Sequence, residues 1–111
     1  MLNTKEKNMN KYYLYYGISL IYNEDTVFTI GITKDCFRRS YEKHMSIVWV
    51  KAYASKAEAM KAEKALHAVL DAKFDRAFVQ FGAWQMEGYK QNRGWDWWMG
   101  AGLDIVKQEV K

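Results

Sequence analysis

Two runs of strand-favouring residues stand close together near the start of the chain. The first is Tyr12-Tyr13-Leu14-Tyr15-Tyr16, prolonged by Ile18 and Leu20-Ile21-Tyr22; the second is Thr26-Val27-Phe28-Thr29-Ile30-Gly31-Ile32. Aromatic and β-branched side chains suit a pleated, half-buried surface. Between the runs lies Asn23-Glu24-Asp25, a polar segment with turn chemistry, in a chain that has no proline and must turn on Gly, Asn and Asp. Two such runs around a short turn predict an antiparallel hairpin. Strand side chains alternate between faces, so Phe28, Ile30 and Ile32 share one face and Thr29 and Gly31 the other. By the same parity Tyr15 shares a face with Tyr13 and Gly17, the face that carries Thr29 and Gly31 on the neighbouring strand.

Downstream the periodicity changes. Thr33-Lys34-Asp35 reads as a helix start, capped by Thr33 or Asp35, and the helix runs on from Phe37 to His44. Phe37, Tyr41 and His44 fall on one face and are expected to meet the core; Arg39 and Lys43, four apart, fall on another. Ile47-Val48-Trp49-Val50 is a third β-rich run. Ser55-Lys56-Ala57-Glu58 is a capping-box pattern that opens a helix over residues 56–72. Residues 74–84 are apolar and aromatic but have no clean period, and Gly82, Gly88, Gly94, Gly100 and Gly102 break up the last third of the chain. Trp95, Trp97 and Trp98 cluster around Asp96, and residues 103–111 form a short amphipathic tail. This last third is expected to cover the core. The expected class is α/β in the α+β sense: a small three-stranded antiparallel sheet flanked by helices.

At 111 residues the chain is one domain, with residues 1–10 frayed, residues 11–111 folded, and residues 75–111 an aromatic-rich extension. The net charge of +4 permits a nucleic-acid partner without requiring one. One cysteine, Cys36, excludes an internal disulfide framework, and two histidines exclude a histidine-rich metal site. No apolar run approaches the roughly 18 residues of a membrane span, and the polar start lacks a signal-peptide core. A soluble, cytoplasmic protein in a reducing compartment is expected, without a membrane partner.

The helix at 56–72 carries the most useful clue. Ala59, Ala62, Leu66, Val69 and Leu70 form one apolar stripe, and Glu63 falls inside it, between Leu70 and Phe74 on the wheel. Lys61, Lys64 and Asp71 lie outside, where solvent is expected. An unpaired buried charge costs several kcal/mol or more, so Glu63 needs a cation, a metal or an opening to water. An ion pair with Arg39 or a lysine, or a stripe that opens at its edge, answers that need without any function.

The order of elements resembles the GIY-YIG nuclease superfamily, in particular its compact phage-type branch. Tyr13-Leu14-Tyr15 stands where the first signature element is found, and Thr29-Ile30-Gly31 where the Tyr-Ile-Gly triplet is found. Arg39 lies eight residues after Gly31, at the place of the family's helical arginine. Glu63, in Glu58-Ala59-Met60-Lys61-Ala62-Glu63, matches the glutamate of the later helix. The resemblance covers roughly residues 12–74. It departs from the family at Thr29, which replaces the second tyrosine, and in a first element that lacks its glycine. Asp75 is the nearest counterpart of a later asparagine.

The resemblance implies a metal-dependent DNA endonuclease of phage or mobile-element type, acting in the host cytoplasm. Glu63 would hold one Mg²⁺ or Mn²⁺, hard cations that prefer oxygen ligands and keep several waters. Arg39 would contact the scissile phosphate through its planar fork. Tyr15, with Tyr13 beside it, would orient or deprotonate the attacking water, and His44 would serve as an accessory base. Arg38, Lys43 and Lys34 would contact the nucleic acid. Single-stranded and branched DNA are both open as substrates, and specificity would be low or come from a homodimer. The rival expectation is an inactive GIY-YIG-like module that binds nucleic acid or a host protein through its Trp-rich last third.

Overall fold

The computed structural model describes residues 11–19, 26–81, 84–91 and 101–110. The expected turn at residues 23–25, the expected frayed segment at 1–10, and Trp95, Trp97 and Trp98 lie outside them.

The hairpin forms as the alternation requires. Strand β1 (Tyr12–Ser19) pairs antiparallel with β2 (Thr26–Thr33), setting Tyr15 opposite Gly31 and Gly17 opposite Thr29. Leu14, Tyr16, Ile18, Phe28 and Ile30 enter the main core together. Tyr15 and Val27 face the other way, into a second, smaller cluster with Met45, Ala77 and Met86. Helix α1 (Cys36–Glu42) follows, then β3 (Met45–Tyr53), which pairs antiparallel with the outer side of β1. The β1–β3 register shifts between Tyr16, opposite Trp49, and Gly17, opposite Ile47. Val48 is the extra residue of this bulge and is exposed. The shift sends Trp49 to the main core while Met45 and Ile47 join the Tyr15 face.

The sheet has five strands, not three, in the order β3-β1-β2-β5-β4, and every neighbouring pair is antiparallel. The additional pair comes from residues expected only to cover the core: β4 (Arg76–Phe81) and β5 (Trp84–Gln91). Their alternation is hidden because buried residues alternate between the two clusters. Ala77 and Met86 serve the smaller cluster and Tyr89 the main core. Gly88 is needed where β5 passes β2, since a Cβ there would collide with the carbonyl of Phe28.

Helix α2 (Lys56–Asp71) is capped by Ser55, whose Oγ accepts from the backbone N–H of Glu58 at 3.2 Å. Its stripe buries Ala59, Leu66 and Leu70, the two leucines in the main core. Helix α3 (Ala101–Glu109), the expected amphipathic tail, adds Leu103 and Val106 to it. Phe28 is the hub: its ring stacks on Tyr16 at 5.0 Å and on Tyr89 at 5.4 Å, with Phe74 edge-on at 5.3 Å. Such aromatic pairs contribute about 0.5–1.5 kcal/mol each beyond the area they bury. Among the described residues no helix is long and apolar enough to cross a membrane.

Helix α1 reverses the expected orientation. Phe37 and Tyr41 do not meet the core: they are 83% and 78% exposed, and His44 is exposed as well. The half-buried residues are Cys36, Arg39, Ser40 and Lys43, which share the opposite side of the helix. Small Cys36 and Ser40 let the helix approach the sheet, while Arg39 and Lys43 lay their aliphatic stems inward.

Candidate active site

Tyr15 organises its face of the sheet. Its ring lies across Gly31 on the neighbouring strand: a Cβ on residue 31 would stand 2.5 Å from Tyr15 Oη and 2.7 Å from Cζ. Any other residue at position 31 would push the phenol away. The Tyr15-Gly31 pairing is set by the hairpin register, and the close approach is set by the missing side chain.

Three charged or ionisable groups act on this phenol. Burial pushes Tyr15 above the ordinary tyrosine value; the Arg39 guanidinium pulls it back down, and Glu63 and Cys36 push it up again. Tyr15 is therefore a phenol, not a phenolate, at neutral pH. Arg39 comes from α1, which lies over the Tyr15 face, and Glu63 from α2, which packs on the opposite face. The structure brings the influence of both to one tyrosine, although Glu63 stands far from it in the sequence.

Arg39 and Glu63 do not pair with each other. Among the described residues neither side chain makes a hydrogen bond or an ion pair. The Glu63–Arg39 salt bridge, one of the non-functional explanations of a carboxylate in the stripe, is thereby removed. Glu63 instead sits half-buried at the edge of the stripe that buries Leu66 and Ala59.

Thr29 is buried on the same face. Its hydroxyl donates to the carbonyl of Glu87 at 3.0 Å. The β2–β5 backbone pairing runs from Thr26 to Phe28, so this side chain carries the attachment of β5 one residue further. Lys43 lines a cavity of about 290 Å³ together with Tyr15, Thr29, Met45 and Met86. A second, more open groove of about 760 Å³ runs beside α1, lined by Tyr13, Lys34, Cys36, Phe37, Ser40 and Val50 among others.

The remaining expected residues are placed less centrally. Arg38 is outward and bridges Glu42 at 2.7 Å on its own helix. Lys34 sets its ammonium 5.1 Å from the centre of the Tyr12 ring. His44 is exposed with φ at 48°, the left-handed position that ends α1. It is not among the groups that act on the Tyr15 phenol. Cys36 is half-buried, and burial followed by Asp35 pushes its thiol up, away from thiolate chemistry. His67 lies elsewhere, with Nδ1 2.7 Å from the Tyr89 hydroxyl, which in turn donates to Asp71 at 3.0 Å.

Among the described residues no group of three or more His, Cys, Asp and Glu is placed to hold a metal ion. The Glu63 carboxylate, half-buried and with no hydrogen bond or ion pair among the described residues, is a single oxygen-donor group. Comparison with protein-family models, with curated proteins and with solved structures finds no match.

Proposed function

We propose that this chain is a divalent-cation-dependent endonuclease that hydrolyses phosphodiester bonds in DNA, with Tyr15, Arg39 and Glu63 as its working residues. The observation that carries the reading is a buried tyrosine laid across Gly31, flanked by elements whose half-buried arginine and glutamate make no bond to each other. Opposite charges in a merely structural role are expected to pair. Held apart, the guanidinium is free for a phosphate and the carboxylate for a cation.

Arg39 binds the scissile phosphate through two of its N–H groups and neutralises the charge that builds up on the phosphoryl oxygens. Tyr15, kept protonated by burial, orients the attacking water by hydrogen bonding and does not remove its proton. Glu63 would hold Mg²⁺ or Mn²⁺, which would supply Lewis-acid stabilisation and lower the pKa of a water there. Lys43, beside Tyr15 in the smaller cavity, adds positive charge for the nucleic-acid backbone.

One observation favours a second reading, an inactive descendant that binds nucleic acid or a host protein. The Thr29 hydroxyl is committed to the Glu87 carbonyl, so the second signature position supplies no free group to the site. Cleavage of supercoiled plasmid and single-stranded DNA separates the two. Under the first reading, nicking requires Mg²⁺ or Mn²⁺, stops in EDTA and disappears in Glu63→Ala. Salt-dependent DNA binding by a folded wild type with no cleavage in either metal establishes the second reading.

A further inference from the structure

Helix α2 carries three ionisable side chains at four-residue steps, Glu63, His67 and Asp71, in one row along the helix. Glu63 and His67 are both half-buried. A chain of hydrogen bonds holds the middle residue. His67 Nδ1 lies 2.7 Å from the Tyr89 hydroxyl, and that hydroxyl donates to Asp71 Oδ1 at 3.0 Å. An ionised carboxylate only accepts, so the single hydroxyl proton of Tyr89 goes to Asp71. The hydroxyl oxygen then accepts from His67, and Nδ1 is the nitrogen that carries the N–H. Arg76 Nη2 stands 3.5 Å from Nδ1, but its guanidinium is taken up by Asp71 at 2.7 Å and by Glu87 at 3.2 Å. With the proton fixed on Nδ1, neutral His67 has its lone pair on Nε2. Among the described residues Nε2 has no hydrogen-bond partner, and neither has the Glu63 carboxylate.

We propose that His67 Nε2 and one carboxylate oxygen of Glu63 together bind a first-row transition-metal dication across one turn of α2, with water completing its shell. The proposal rests on the cation-binding role of Glu63 in the endonuclease reading and goes beyond it by adding a nitrogen ligand, and with it a metal preference. Residues four apart on a helix have Cβ atoms about 5–6 Å apart. Their Cα–Cβ bonds tilt toward the helix N-terminus, so the imidazole leans back over the turn that carries Glu63. Tyr89 and Asp71 bond the ring from the C-terminal side of that turn.

The chain Asp71–Tyr89–His67 supplies what a ligating imidazole needs. Its other ring N–H is given to an acceptor, which fixes the tautomer and raises the basicity of the free nitrogen. The donor pair also selects the metal. Mg²⁺ prefers oxygen, whereas Mn²⁺, Co²⁺, Ni²⁺ and Zn²⁺ accept imidazole as well, with affinity rising from Mn²⁺ to Ni²⁺.

Isothermal titration calorimetry of the untagged protein with Ni²⁺ and, separately, with Mg²⁺ tests the site without nucleic acid. Wild type is expected to bind Ni²⁺ about tenfold or more tightly than Mg²⁺. His67→Asn is the informative variant, because the asparagine amide keeps an N–H for the Tyr89 hydroxyl and has no counterpart of Nε2. It is expected to weaken Ni²⁺ binding by about tenfold or more and to leave Mg²⁺ binding within about twofold. Glu63→Gln is expected to weaken both. His44→Ala, which removes the chain's other histidine, is expected to change neither. Circular dichroism verifies that each variant is folded. Long-range proton–nitrogen correlation NMR on the wild type needs no variant: neutral His67 is expected to be protonated at Nδ1, and Zn²⁺ is expected to shift its Nε2 resonance. Unchanged Ni²⁺ affinity in folded His67→Asn, Ni²⁺ binding that is lost with His44 instead, or an Nε2 resonance that Zn²⁺ does not move overturns the proposal. Because none of these measurements involves cleavage, failure of the endonuclease reading registers separately in the plasmid experiment with Mg²⁺.

Discussion

The hydroxyl of Tyr15 occupies the space that a side chain on Gly31 would need: a Cβ there would stand 2.5 Å from Oη. Glycine at position 31 is thus a condition for where the phenol lies, and the phenol is where Arg39 and Glu63 exert their influence. Gly31→Ala forces the ring out and is expected to cost about 1–3 kcal/mol of stability, the usual range for overpacking. It is also expected to reduce cleavage at least tenfold. In a Tyr15→Ala background the same Gly31→Ala change should cost almost nothing. Urea denaturation of the four proteins gives the coupling directly, and an equal cost in both backgrounds would show that the ring does not lie over residue 31.

His44 occupies a left-handed position, φ 48°, directly after the Lys43 cap of α1. A side chain with a Cβ pays roughly 1–2 kcal/mol there, and glycine does not. His44→Gly removes that backbone cost together with the interaction that His44 makes, and is expected to leave stability within about 1 kcal/mol of wild type. If His44 only ends the helix, cleavage at neutral pH stays within twofold of wild type. A hundredfold loss in this variant would support His44 as the accessory base.

Much of this arrangement is legible in the residues themselves. The parity of β1 and β2 depends on an unbroken alternation, Leu14-Tyr15-Tyr16-Gly17-Ile18 against Phe28-Thr29-Ile30-Gly31, and a period of two leaves only one choice of face. The stripe of α2 is legible because its one exception, Glu63, is charged. Helix α1 misleads because it is only seven residues long and has no fully buried residue. There the burial of two aromatics does not decide its rotation, and small Cys36 and Ser40 do. The β4–β5 hairpin is illegible because consecutive residues such as Gly88 and Tyr89 are both buried, one against the backbone of β2 and one beside Phe28. Nothing in the residues around Thr29 announces that its hydroxyl reaches the Glu87 carbonyl of β5, 58 residues further along the chain.

Where β4 meets α2, pH acts through Asp71 and Tyr89. The hydrogen bond from Arg76, then that from Tyr89, holds the Asp71 carboxyl below the usual carboxylate range. A depressed folded value means stability that is present above the unfolded value of about 4 and lost as pH falls through the lower native one. Burial, then the hydrogen bond to Asp71, raises Tyr89 far above the ordinary tyrosine value. That contribution has the opposite sign: it is full below about pH 10 and lost as pH rises toward the native value. Melting temperature followed from strongly acidic to strongly alkaline pH should fall at both ends. Asp71→Asn should flatten the acid limb, and Tyr89→Phe the alkaline one. An acid limb unchanged by Asp71→Asn would show that other carboxylates carry it.

Glu63 gives the sharpest contrast between a structural and a functional carboxylate. It is half-buried in an apolar stripe and, among the described residues, has no hydrogen-bonding or ionic partner. A residue retained for stability would lose stability when changed, by about 3–5 kcal/mol if it belonged to a buried pair. With no pair to break, Glu63→Gln is expected to leave stability within about 0.5 kcal/mol, and Glu63→Leu to raise it, because leucine completes the stripe between Ala59 and Leu66. Under the endonuclease proposal both should reduce metal-dependent cleavage by two or more orders of magnitude. The same proteins can be titrated with Mn²⁺ while their melting is followed. Wild type should gain stability with added metal as binding to the native state requires, and Glu63→Gln should gain none. A destabilised Glu63→Gln, or an equal metal-induced gain in both proteins, would place the carboxylate in the architecture of the fold and leave the cation-binding role to another group.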